Sequence, residues 1–373
     1  MKAVRWISCC VAGLLTAGCM FILSGCSTSG DISNRMLIQG VGIDISERGY
    51  LVSVHYAKPS DENVEVDLIQ AEGETVYTVL QGLIMQTGLV PTYSHNSMVV
   101  FSRECAEKGL TDVFDFFVRY YETRPTVDLF VAEDRADTLF EMQDGEQYVL
   151  ARKAKSFSEA DVAFNKFAGS TVLDITDRMA GECNTFALPE LTVYEKWIRL
   201  GKTAYFRDNQ LIGYLDADQA KGYAAAVHTI SNGILALQVE DVGTVGMRLE
   251  RTHHKTTVEL EDGLPKFTVN IFCTAYISEV NHDFRQRLSV DVYEKFERAL
   301  EEQMKMYAES AIAQAAVQDG VDIFRFDTML QQQQTAYWKE HAANWTEMLP
   351  KIKYMVNVQA SVDRVQQEAT HAV

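Results

Sequence analysis

Beyond Leu23 this 373-residue chain has no apolar run approaching the roughly 20 residues that a membrane-crossing helix needs. Nothing past the N-terminus is therefore expected to span a bilayer. Cations are scarce as well: 34 Lys and Arg stand against 52 Asp and Glu, a formal charge of −18. That balance argues against nucleic acid as a partner, because phosphate neutralisation needs basic patches. It also leaves no evident electrostatic route to anionic lipid headgroups. No CxxC pair occurs among the seven cysteines, so neither a zinc ribbon nor a dithiol redox motif is present. G-x-S-x-G, H-E-x-x-H and a P-loop are missing too. The sequence has no internal repeat and no low-complexity segment.

What is present begins at the N-terminus. Lys2 and Arg5 precede a mostly apolar stretch from Trp6 that ends in Leu23-Ser24-Gly25-Cys26. An ordinary secretory leader ends in small residues. Here Leu at −3, small residues at −2 and −1, and Cys at +1 form the pattern of a bacterial lipoprotein box. On this reading Cys26 is the first mature residue, its thiol carries a diacylglycerol, and its freed amine is open to acylation. A transmembrane anchor is the competing reading, since the stretch nears bilayer length. Gly13, Gly18 and Cys19 interrupt it, however, and no charged stop-transfer cluster follows. The rival box Thr16-Ala17-Gly18-Cys19 lacks the Leu and leaves too short an apolar core. Losing Lys2 and Arg5 with the leader brings the charge near −20, so the acyl chains must supply the attachment. Each buried methylene contributes about 0.8 kcal/mol, and two chains hold stably where one is marginal.

Without residues 1–25 the chain keeps 348 of its 373 residues, enough for two or three domains. Apolar content of 47% and charged content of 23% suit a folded body. Residues 26–35 read as a polar tether of at most about 30 Å. Residues 36–191 read as an N-terminal mixed α/β domain. Strands are expected at Met36–Ile45, Tyr50–Ala57, Ser97–Phe101 and Thr126–Ala132. They alternate with helices at Glu74–Thr87, Leu110–Glu122 and Asp134–Met142. A further helix is expected at Val172–Met179. Residues 192–373 read as a C-terminal α/β region in two subdomains. A hairpin spans Thr203–Phe206 and Leu211–Leu215, and strands follow at Ile234–Val239, Thr256–Leu260 and Lys266–Ile277. The longest helix is Val290–Gln318, then comes one near Thr328–His341, and strict alternation over Ile352–Ala360 marks a final strand with one buried face. The fold class expected is α+β, with mixed sheets and packed helices.

Candidate chemistry is thin. Gly40-Val41-Gly42 resembles part of a dinucleotide fingerprint, but Ile45 stands where its third glycine belongs, so a strand or bulge where backbones approach closely is the better reading. His253 and His254 are adjacent, and neighbours on a strand face opposite ways; a polar turn entering the Thr256 strand explains them. Asp283, ahead of the long helix, suits a cap or a first-turn acid. Glu301-Glu302 and Glu259-Glu261-Asp262 read as solvated faces. The Ala-rich half of the long helix (Ala308, Ala311, Ala313, Ala315, Ala316) packs on its own sheet by default, or on a partner. Cys105, Cys183 and Cys273 read as three buried thiols rather than one disulfide and a spare. No catalytic, cofactor or metal residue is assigned, and the reading is a non-enzymatic body.

Several stretches together resemble the Ger(x)C family of spore germination proteins, the lipoprotein C subunits of nutrient germinant receptors. They are the lipoprotein box, Gln39-Gly40-Val41-Gly42-Ile43-Asp44, Ser94-His95-Asn96-Ser97-Met98, Glu107-Lys108-Gly109-Leu110 and Arg119–Pro125. Later come Gly201–Leu215, Asp322-Ile323-Phe324, Trp338, Trp345 and the last strand. Two features depart from the pattern: Ser27-Thr28-Ser29-Gly30 replaces the usual Trp and acids after the lipid cysteine, and a glycine is missing after the last strand. The resemblance implies a three-domain lipoprotein on the outer face of the spore inner membrane. Its partners would be the integral membrane A and B subunits, and no cofactor is implied. Two other classes compete: a solute-binding lipoprotein of an ABC importer, disfavoured by antiparallel strands where doubly wound lobes belong, and a surface hydrolase, disfavoured by the missing motifs.

Overall fold

The computed structural model describes residues 34–58, 65–120, 123–145, 147–150, 153, 170–181, 183–281 and 290–363. The lipoprotein box with Cys26, residues 27–33 of the tether, and His282-Asp283 lie outside these residues.

A hairpin starts the body. Strands β1 (Arg35–Ser46) and β2 (Gly49–Lys58) pair antiparallel across Glu47-Arg48, and β3 (Glu65–Gly73) adds beside β2. Helix α1 (Val76–Thr87) opens on a reciprocal Thr75–Thr78 capping box and buries Val76, Val79, Leu80 and Leu83. Strands β4 (Val90–Thr92) and β5 (Met98–Phe101) run parallel to β1. Helices α2 (Arg103–Lys108) and α3 (Thr111–Arg119) then lead to β6 (Asp128–Ala132), parallel to β5. After α4 (Ala136–Glu141) come a small hairpin of β7 (Gln143–Asp144) and β8 (Gln147–Tyr148), and then α5 (Val172–Met179). Strands β9 (Thr185–Tyr194), β10 (Trp197–Arg207) and β11 (Gln210–Leu215) complete one mixed sheet in the order β11-β10-β9-β6-β5-β1-β2-β3, with β4 beside β1. The sheet runs through residue 192 without a break.

Helix α6 (Ala217–Val227) leads to a second sheet. Strands β12 (Ser231–Val239), β13 (Gly243–Glu261) and β14 (Leu264–Asn281) form an antiparallel meander. Helix α7 (Val290–Ile312) follows and widens into a π-helical turn over Ala313–Gln318. Then come α8 (Phe326–Gln333), α9 (Thr335–His341) and α10 (Trp345–Met348), and β15 (Lys353–Asp363) closes the sheet parallel to β14. The architecture is mixed α/β, as its residue pattern requires. Buried side chains form one large cluster around the second sheet and its helices, and two more clusters on the faces of the first.

The Ala-rich surface of α7 packs inside its own body. Ala308, Ala311, Ala315 and Ala316 are fully buried. Opposite them α6 presents Gly222, where a Cβ would lie 2.2 Å from the carbonyl carbon of Tyr307. Small residues on both helices thus let the backbones nearly touch.

Several expectations need correcting. His253 and His254 lie well inside β13, not in a turn: His253 stacks on Phe272, and His254 Nδ1 lies 3.4 Å from the His228 carbonyl. Strand β13 begins at Gly243, long before Thr256. Register shifts at Gly246/Met247 and Leu249/Arg251 break the two-residue period there, which hides the strand from pattern reading. The helix expected over Thr328–His341 is two helices broken at Gln334. Glu301 is not part of a solvated face. Its carboxylate accepts from the Ala360 N–H at 2.9 Å, and Glu297 does the same for Val362 at 3.1 Å. Two acids of α7 therefore occupy the outward N–H groups of an edge strand. Cys105, Cys183 and Cys273 are free; the first and last are buried and Cys183 is half-buried.

Candidate functional site

Asp322 is the most deeply held polar group where the two sheets meet. It follows the turn Asp319-Gly320, on the segment that joins α7 to α8. Arg325 holds a left-handed backbone, φ 61°, and this turns the chain so that α8 starts directly over the Asp322 carboxylate. Asp322 Oδ1 accepts from the Phe326 N–H at 3.0 Å, and Oδ2 accepts from the Asp327 N–H at 2.7 Å and from Trp345 Nε1 at 3.1 Å. One carboxylate thus caps a helix and fixes an indole 23 residues further along the chain.

The backbone of the same residue ties the second sheet to the first. The Asp322 carbonyl accepts from Thr185 Oγ1 at 2.7 Å and from the Arg178 guanidinium at 3.1 Å. Arg178 also donates to the Thr185 carbonyl at 2.8 Å and lies 3.8 Å from the Asp327 carboxylate. Three residues earlier, Tyr205 donates to the Asp319 carboxylate, and Arg207 donates to the Asp319 carbonyl at 3.1 Å. Phe267, Phe324, Phe326, Trp338 and Trp345 stack beneath. A cleft of about 290 Å³ opens beside the junction, lined by Asp177, Arg178, Asp327, Gln331 and Trp338 among others.

Electrostatics follow from this burial. Desolvation pushes the Asp322 carboxyl up to about 7, with the Asp327 charge adding to it and Arg178 opposing. Burial and the same two carboxylates also raise the Cys183 thiol. Cys105 and Cys273 are pushed up to about 12, chiefly by burial, so their thiolate content at neutral pH is negligible.

A second buried acid explains the early glycine motif. Asp44 on β1 accepts from the Ala136 and Asp137 N–H groups at 2.9 and 2.8 Å, so it caps α4 from across the sheet. Burial, then the Asp137 charge, pushes its carboxyl up to about 6. At Gly42 a Cβ would lie 2.8 Å from the Phe140 ring, and the β1 register shifts between Ile38 and Gly40. The expected bulge lies just before Gly40, whereas the close approach is made by the Phe140 and Met98 side chains and not by a second backbone. His55 Nε2 donates to the Phe140 carbonyl at 2.8 Å, and burial lowers its pKa to about 4, so the ring is neutral.

The stretches singled out in the sequence therefore converge in two groups. Gly40–Asp44 meets α4. Tyr205, Arg207, Asp322, Phe324, Trp338 and Trp345 meet at the junction. Arg178 and Thr185, which hold the junction from the first sheet, carry no signal in sequence, because a Thr in a strand and an Arg near a helix end are commonplace. Among the described residues no group of three or more His, Cys, Asp or Glu is placed to hold a metal ion. Nor is any helix among them long and apolar enough to cross a membrane. Both carboxylates act as caps and clamps.

Comparisons with known proteins cover nearly the whole chain. A spore germination protein N-terminal domain matches residues 29–193, and a domain described as spore germination B3/GerAC like, C-terminal, matches residues 201–366. Spore germination protein A3 of Bacillus subtilis (strain 168) is 20% identical over 278 residues, 70% of this chain and 72% of that protein. The crystal structure of the GerBC protein matches with a TM-score of 0.60 at 14% identity, covering 87% of this chain and 96% of that one, a likeness of fold.

Proposed function

The chain belongs to the Ger(x)C family of spore germination proteins, and from that membership we propose that it is the lipid-anchored C subunit of a nutrient germinant receptor at the inner spore membrane. One observation carries the proposal: N- and C-terminal domain models of spore germination proteins match in order from residue 29 to residue 366. Its role in germination follows from the family. The finer reading is that Cys26 bears the diacylglycerol, that the body docks on integral membrane A and B subunits, and that it performs no chemistry of its own. Supporting this, the buried acids Asp44 and Asp322 are taken up by backbone N–H groups and an indole. The second sheet is an antiparallel meander closed by one parallel strand, unlike the repeated βα lobes of solute-binding proteins.

Deleting the gene tests this reading. Spores should form normally and lose their response to one set of nutrients, and the intact gene should restore it. A deletion strain that germinates at wild-type rates on every nutrient, in a background lacking other germinant receptors, contradicts the proposal.

A further inference from the structure

The negative charge of this chain is unevenly spread. At the tip of the β9–β10 hairpin, Tyr194 and Trp197 pair across Glu195-Lys196, and they are 53% and 42% exposed. Three cations gather on the two rings. The Arg199 guanidinium lies 4.3 Å from the Tyr194 centroid, and the Lys153 and Lys196 ammonium groups lie 5.2 and 5.5 Å from that of Trp197. Acids stand near as well: Glu195 in the turn, and Glu133, which accepts from Thr192 Oγ1 on the same strand and lines a cleft with Asp134, Arg135 and Val193. Among the described residues the tip thus sums to a net positive charge on a chain of −18. Its other face is firmly seated, with Leu191 and Ile198 buried in the cluster beneath.

A solvated hairpin end has no use for an exposed Trp and Tyr side by side. Aromatic rings with one apolar face, ringed by Lys and Arg, favour the zone where lipid headgroups meet acyl chains. We infer that the tip of this hairpin is a second membrane contact, resting among anionic lipid headgroups with Tyr194 and Trp197 at the interface and Lys153, Lys196 and Arg199 toward the phosphates. This rests on the reading of Cys26 as the lipid anchor, which brings Arg35 within about 30 Å of the membrane. Strand register sets the orientation. Gly40 is level with Met98, Met98 with Asp128, and Val131 with Glu190. Tyr194 therefore lies a dozen residues beyond the level of Arg35, up to about 40 Å along the strands. With the tip on the membrane and Arg35 no more than about 30 Å above it, the first sheet leans toward the membrane and cannot stand fully upright.

Trp197 is its own reporter. Trp338 and Trp345 are buried at 4% and 2%, and Trp6 belongs to the leader. The full lipid-anchored chain is mixed, at millimolar lipid, with vesicles of brominated phosphatidylcholine, alone or with equal phosphatidylglycerol. Bromolipid should quench tryptophan emission in the anionic vesicles and far less in the neutral ones, and Trp197→Phe should abolish the effect. Lys196→Gln and Arg199→Gln should each lower the ratio of quenched to free hairpin about fivefold. Flotation of the same samples reads the anchor separately. Chain that floats while Trp197 stays unquenched overturns the hairpin contact alone. Quenching without flotation after dilution overturns the anchor alone, and neither signal overturns both. If Trp197 ignores bromolipid but is shielded from aqueous acrylamide in native spore membranes, an acidic protein partner replaces lipid and the inference fails.

Discussion

Asp322 shows how one residue can join two parts of a fold. Its carboxylate organises the start of α8 and holds Trp345, while its carbonyl receives Thr185 and Arg178 from the first sheet. Burial raises its pKa from 3.8 to about 7, so the folded protein holds this proton more tightly than the unfolded chain does. The stability linked to it is fully present below about pH 4 and is lost as pH rises through about 7. Asp322→Asn cannot titrate. The stability advantage of wild type over that variant should therefore shrink from pH 4 to pH 7. His55 and His228, whose pKa values burial lowers to about 4, bias the absolute curve the opposite way but cancel in the difference. Urea unfolding of both proteins at pH 5 and pH 8 measures it; an advantage that is constant or grows with pH contradicts this account.

At the scale of elements, the crossing of α6 and α7 is set by one missing side chain. Gly222→Ala places a methyl group 2.2 Å from the Tyr307 backbone and should cost about 1–3 kcal/mol, seen as a fall in the unfolding midpoint. Gly82→Ala is the opposite case. That glycine lies in α1 with nothing within 4 Å of a new Cβ, so better helix propensity should raise stability by up to about 1 kcal/mol. A second element-scale prediction concerns the edge of the second sheet. Replacing Glu297 and Glu301 with Ala frees the amides of Val362 and Ala360. Both should exchange with solvent at least tenfold faster by NMR, and the variant should aggregate sooner, since an open edge invites strand addition. Unchanged exchange would mean that the two carboxylates do not guard the edge.

Elements with clean periodicity were legible in advance, and those with local interruptions were not. Helix α5 matches its expected span of Val172–Met179, because a Thr171–Asp174 capping box opens it and Val172 and Ile175 mark its buried face. Helix α6 has no readable apolar stripe although Asp216 and Gln219 form a capping box, because its buried face is Ala, Gly and one Tyr. Strand β3 shows no alternation because its residues are nearly all half-buried at a sheet edge, which removes the contrast between its two faces. Of the junction, Asp322, Trp338 and Trp345 could be named from the sequence, but their meeting with Arg178 and Thr185 depends on contacts 137 and 144 residues apart, which no local pattern encodes.

For the whole molecule, charge and attachment work against each other. A chain of −18 gains nothing from an anionic membrane on average, so the proposed lipid on Cys26 would have to hold it there, helped by the cationic tip of one hairpin. The two sheets share buried contacts through Asp319 and Asp322, so the halves should move as one piece when the membrane end is fixed. The central claim is that this is a lipid-anchored germination subunit, and the most direct measurement is the distribution of Cys26→Ala in sporulating cells. Cys26 makes none of the contacts described between Asn34 and Asp363, so the substitution should leave those contacts intact. The account predicts that the variant is made at normal levels, is missing from washed spore membranes, and loses the germination response that the wild-type gene supports. Recovery of Cys26→Ala at wild-type levels in those membranes would show that protein contacts hold the subunit there and would contradict the account.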